Sequence, residues 1–80
     1  MRTVIIKDIS YECYQEIRDE LYSVIPYAMY NENFCNGNAY FMFWDGQYVP
    51  DSLAEYITAP PRQDEEWVKM SKNIAKILAD

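Results

Sequence analysis

Apolar and polar positions alternate with two different periods along this chain, and the changes of period mark its elements. Thr3-Val4-Ile5-Ile6 is short and β-branched, which predicts a first strand. From Ser10 to Ile25 the period becomes helical. Cys13, Ile17, Leu21 and Val24 recur on one stripe, Tyr14 and Ile25 widen it, and Pro26 ends it. Asp8 or Ser10 is the expected cap. The densest apolar run free of proline is Ala39-Tyr40-Phe41-Met42-Phe43-Trp44. Its aromatic residues suit a pleated surface. Phe41 and Phe43 point to one face, Tyr40, Met42 and Trp44 to the other, so an interior strand with both faces at least partly covered is expected.

Asn36-Gly37 lies just upstream of that run and supplies the positive φ angles of a two-residue hairpin turn. With this turn Cys35 faces Asn38, Phe34 faces Ala39 and Tyr30 faces Phe43. Asn31-Glu32-Asn33 interrupts the first arm, so a longer loop from Asn31 to Asn38 is the alternative. Asp45-Gly46 is a second turn signal, pairing Phe43 with Tyr48 and Met42 with Val49, and Pro50 closes that return strand as an edge. Ser52-Leu53-Ala54-Glu55 fits a capping box and a short helix through about Ile57. Pro60-Pro61 then stops the chain, and Asp64 caps a last helix. Trp67, Met70, Ile74, Ile77 and Leu78 form its apolar face. Glu65 and Glu66 sit in its first turn, with Lys69, Lys72 and Lys76 further along, an order that suits the helix dipole and allows a Glu65–Lys69 pair. The order β-α-β-β-β-α describes an α+β fold, a small two-layer sandwich with an antiparallel meander packed against helices, in one domain spanning residues 1–80.

Charge changes the picture more than composition does. The chain is 50% hydrophobic and 16% aromatic, which places it among packed globular domains. Its net charge of −6 is uneven. From Asp8 to Pro60 nine acids (Asp8, Glu12, Glu16, Asp19, Glu20, Glu32, Asp45, Asp51 and Glu55) face one base, Arg18. From Pro61 onward four acids balance four bases, and Arg2 and Lys7 make the first segment positive. Direct binding to nucleic acid is disfavoured for want of a basic footprint, and a basic protein partner is favoured. No secretory signal is recognised, and no apolar run is long enough to span a bilayer, so a cytoplasmic protein is expected. Cys13 and Cys35 form no metal-type or redox spacing and read as free thiols, Cys13 on the buried stripe and Cys35 nearer the surface.

The candidate site is on the first helix. At about 100° per residue, and with Glu12 set to zero, Glu16 falls near 40°, Glu20 near 80° and Asp19 near 340°. These four carboxylates line one edge of the apolar arc, and no base three or four positions from Glu12 or Glu16 relieves them. Like-charge neighbours of this kind cost roughly 0.2–0.5 kcal/mol each. A bland reading is a solvated face. The functional one is a row of anionic oxygens offered to arginine- or lysine-rich surfaces, as phosphates are. Asp45, Asp51 and Glu55 would extend the row if they fall on the same side. Tyr11 and Tyr22 flank the apolar arc with Arg18 between them and able to stack, the tyrosines either covering the helix–sheet seam or serving an interface.

Enzyme readings find little purchase. The chain has no histidine, so the commonest general base and metal ligand is missing. Two cysteines do not make a zinc or iron–sulfur site, and no cofactor motif is present. In size, charge and lack of other chemistry, though through no shared motif, the chain resembles the short acidic inhibitors that phages and mobile elements encode against host nucleases, CRISPR effectors or polymerases. That resemblance implies a nucleic-acid mimic, an anti-CRISPR or other anti-defence protein, working in the host cytoplasm on a larger protein with a basic surface, without a membrane. The alternative is a homo-oligomerising module in which the acidic helix of one copy meets the lysine stripe of another.

Overall fold

A computed structural model describes residues 2–25, 30–44, 49–53 and 64–79. Three strands and two helices succeed one another as β1 (Arg2–Ile6), α1 (Tyr11–Val24), β2 (Tyr30–Cys35), β3 (Asn38–Phe43) and α2 (Glu65–Ala79), with a short 3-10 turn at Asp51–Leu53 before α2. The sheet order is β1-β3-β2 and both pairings are antiparallel. The expected interior strand is thus the central one.

The β2–β3 hairpin follows from its turn. Asn36 and Gly37 adopt φ of 54° and 78°, the positive pair that a turn matched to strand twist requires. A Cβ on Gly37 would meet nothing within 4 Å, so backbone conformation rather than crowding selects glycine there. The register pairs Cys35 with Asn38, Phe34 with Ala39 and Tyr30 with Phe43, as the turn dictates, and the strand runs unbroken through Asn31-Glu32-Asn33. The turn is also fastened from outside: the Ile9 N–H donates to the Gly37 carbonyl at 2.9 Å, and the Asp8 N–H to Asn38 Oδ1 at 3.2 Å.

The other edge of β3 departs from expectation. Phe43 faces Arg2 and Met42 faces Thr3, where a second hairpin would have offered Tyr48 and Val49. Asp45 to Tyr48 lie outside the described residues, but β3 has two edges and β1 and β2 occupy both. β1 suits the place because Val4 and Ile6 are buried on the core side, whereas a strand ending at Pro50 lacks an amide for the ladder. Val49 and Leu53 are buried in the same core instead.

Both helices lie on one side of the sheet. Tyr14, Ile17 and Leu21 of α1, and Trp67, Met70 and Ile74 of α2, close over Val4, Phe41 and Phe43. Burying these side chains is the main source of stability, at roughly 1.5–3 kcal/mol for each large apolar group. Ser10 caps α1 through Oγ, which accepts from the Cys13 N–H at 3.1 Å. Asp64 caps α2, its Oδ1 accepting from the Trp67 N–H at 3.1 Å. On α2, Ser71 Oγ accepts the Ser52 N–H at 3.0 Å and ties the 3-10 turn to the helix. The helix expected through Ile57 is seen only as that turn, because residues 54–57 lie outside the described residues.

Among the described residues, no helix lies over the far side of the sheet. Expected to be at least partly covered, it leaves Ile5 and Trp44 at 41% and 46% exposure, with Tyr40 and Met42 half-buried. Among the described residues, no helix is long and apolar enough to cross a membrane.

Candidate functional site

Helix α1 divides the molecule's charge from its aromatic rings. One flank turns toward β2 and carries the tyrosines. Tyr14 is buried, its ring 5.3 Å from Phe34 and 5.8 Å from Phe41. Tyr11 leans edge-on against Phe34 at 5.4 Å while remaining half exposed. The Tyr22 hydroxyl donates to the Glu32 carboxylate, 2.8 Å from Oε2 and 3.0 Å from Oε1. Its ring lies 5.6 Å from Tyr30, which stacks on Phe43 at the same distance. Tyr11 and Tyr22 therefore cover the helix–sheet seam, and Tyr11 keeps the larger free surface of the two.

Arg18 stacks on a tyrosine, and that tyrosine is Tyr14. Its guanidinium lies over the Tyr14 ring, 5.8 Å from the centroid, and its Nε is 3.6 Å from Asp19 Oδ1. That distance makes an ion pair but not a hydrogen bond. Burial raises the Tyr14 pKa, and the nearby Glu32 charge raises it further. Tyr30 is pushed up more strongly, by burial first and then by the Tyr22 and Glu32 oxygens. Its hydroxyl is buried, with the Tyr22 hydroxyl on the same side of the helix–sheet seam.

The second flank and crest of α1 carry the acids. Glu12, Glu16 and Asp19 are exposed and Glu20 is half-buried. Glu20 faces α2, where Asn73 Nδ2 donates to its Oε2 at 3.2 Å. Both residues of this contact line two hollows between the helices. One, of about 360 Å³, is lined by Glu16, Asp19, Glu20, Asn73, Lys76 and Ile77. The other, of about 300 Å³, includes Glu20, Glu66 and Lys69. Among the described residues no lysine comes within 4.0 Å of the Glu12, Glu16 or Glu20 carboxylates; the ion pair on this row is Asp19 with Arg18. The four acids thus differ in kind. Glu12 and Glu16 are open, Asp19 is paired within its own helix, and Glu20 is anchored to α2.

Asp45 and Glu55 lie outside the described residues, as does the side chain of Asp51, which opens the 3-10 turn. Two residues matter here that the sequence reading passed over. Glu32 holds the Tyr22 hydroxyl; its register opposite Phe41 put it on the core face of the hairpin, a signal that was available. Asn73 had no such signal, since nothing local links it to Glu20, 53 positions away. Cys13 is half-buried rather than fully buried, Cys35 is exposed, and both thiols are free.

No family model matches the chain, and comparison with curated proteins and with solved structures gives no match.

Proposed function

We propose that this is a small non-enzymatic binding protein that sets the acidic crest of α1 against a basic, nucleic-acid-handling surface of a larger protein. The observation that carries this reading is the exposure of Glu12, Glu16 and Asp19 on one helix, with Arg18 the single cation among the described residues in ion-pair range of the row. Residues four apart on a helix are about 6 Å apart along its axis. Glu12 and Glu16 thus present carboxylate oxygens as a regular anionic series that arginine forks or lysines can grip. The remaining negative charge of the chain would draw such a partner in before contact. An acid–lysine seam between two copies is less favoured, since Lys69 and Lys76 already border hollows with Glu20 of their own chain.

The inhibitors that the chain resembles in kind suggest the panel to test: a nuclease, a CRISPR effector and a polymerase, each assayed for displacement of a labelled duplex. We expect displacement from at least one, weakening steeply from 50 to 300 mM salt and at least tenfold weaker after combined Glu12→Gln, Glu16→Gln and Asp19→Gln substitution. Displacement indifferent to both salt and these substitutions, or none across the panel, overturns the reading.

A further inference from the structure

The sheet's far side is unusual in what it lacks. The outward-facing side of an antiparallel sheet ordinarily carries polar and charged residues. Here both charged residues of the three strands, Arg2 and Glu32, alternate onto the helix side together with Val4, Phe41 and Phe43. The outward positions are neutral in all three strands, in a chain that is 25% charged. Across the face, Ile5 and Asn33 flank Tyr40, and Asn31 flanks Met42. Trp44 extends the apolar column just past β3. Aromatic rings and methionine with few charges are the composition of an interface core.

We propose that this face joins two copies of the chain, sheet against sheet, leaving the α1 crests on the outer sides of the dimer. Three considerations select a second copy. A chain of net charge −6 repels itself wherever its acids meet, and the neutral face is where two copies can approach without that cost. A partner drawn by charge would go to α1, on the opposite side of the sheet. The polar groups on the face are self-matching as well: each Asn31 or Asn33 amide carries both donor and acceptor, so like can pair with like across a two-fold axis. The extent of the face sets the strength. Strands of five and six residues, at about 3.4 Å per residue and about 4.8 Å apart, give a footprint of about 300 Å², below the roughly 800 Å² per partner of a standard interface. The dimer is therefore weak and forms with rising concentration.

Sedimentation across a thousandfold concentration range tests this, run at 50 and 500 mM salt. The mass is expected to rise toward twice that of the monomer, with no weakening in high salt. Emission from the exposed Trp44 is expected to shift to shorter wavelength over the same range, while Trp67, 1% exposed, contributes a constant background. Ile5→Lys should shift the midpoint at least tenfold upward, with Trp44→Gln as a second variant that does not alter the core; circular dichroism checks that both fold. A monomer throughout the range overturns the proposal. So does a dimer that dissolves in salt or on changing Lys69 and Lys76, and is untouched by both face variants. These readouts need no target, so failure here and failure of the acidic-crest reading are separable.

Discussion

The two helices are nearly equal in length, 14 and 15 residues, and both bury one stripe against the same sheet, yet they are charged on opposite principles. Helix α2 begins with Glu65 and Glu66 and ends with Lys76, so each end of its dipole meets the favourable sign. Helix α1 has Glu12 in its first turn but no base in its last, and Asp19 and Glu20 fall in its second half. Its seat differs too. Along its β2 flank Tyr11 and Tyr14 meet Phe34 and Tyr22 meets Tyr30, whereas the buried face of α2 carries Trp67, Met70, Ser71 and Ile74 and no tyrosine. One helix is arranged for its own stability. The other gives up a little stability in its exposed charges while keeping a full apolar stripe, which separates the surface it presents from the core it builds.

If both helices contribute equally to the core, Ile17→Ala and Ile74→Ala, each at a 0% exposed position, should each destabilise by about 2–5 kcal/mol in denaturant unfolding. A loss confined to one of them would show that the other helix only rests on the fold. Alkali should then tell the two seats apart. A tyrosine whose folded-state pKa is raised keeps its proton while the unfolded chain releases it, so stability is intact below about pH 10 and falls as the pH rises above it. For Tyr30 alone the loss reaches about 1.4 kcal/mol at pH 11. Urea titrations at pH 8 and 11 should show it, and Tyr30→Phe should remove that share. Unchanged stability at pH 11 would mean that these hydroxyls are not buried as described.

The caps allow a closer match. Ser10→Ala and Asp64→Ala should each cost about 1 kcal/mol, with the larger loss at Asp64, whose charge also meets the dipole. The smallest effect carries the sharpest contrast. Glu16→Gln relieves like-charge spacing toward both Glu12 and Glu20 and should stabilise by about 0.5 kcal/mol. Glu65→Gln removes a favourable charge from the first turn of α2 and should destabilise by a similar amount. Thermal melts of the two variants should therefore move in opposite directions. A loss of stability in both would place the α1 acids in the service of their own fold.

What could be read without coordinates was what depends on near neighbours. Two-residue turn geometry requires positive φ at Asn36 and Gly37, and with that turn set, every pairing from Cys35–Asn38 to Tyr30–Phe43 follows by counting. The caps at Ser10 and Asp64, and the buried stripes of both helices, are likewise local, because a cap and a 3.6-residue period act within a few positions. The row of Glu12, Glu16, Asp19 and Glu20 was legible for the same reason.

Tertiary packing decided the rest. A central strand has a second edge, and β1 takes it with Val4 and Ile6 buried on the core side, a pairing between segments more than thirty positions apart that no local pattern specifies. Packing also placed Arg18, drawn onto the buried Tyr14 ring, and Glu20, claimed by Asn73 from 53 positions away. Whether an acid on a helix stays open to a partner depends on what lies across from it, and it was the packing of α2 beside α1 that left Glu12 and Glu16 open while engaging Glu20.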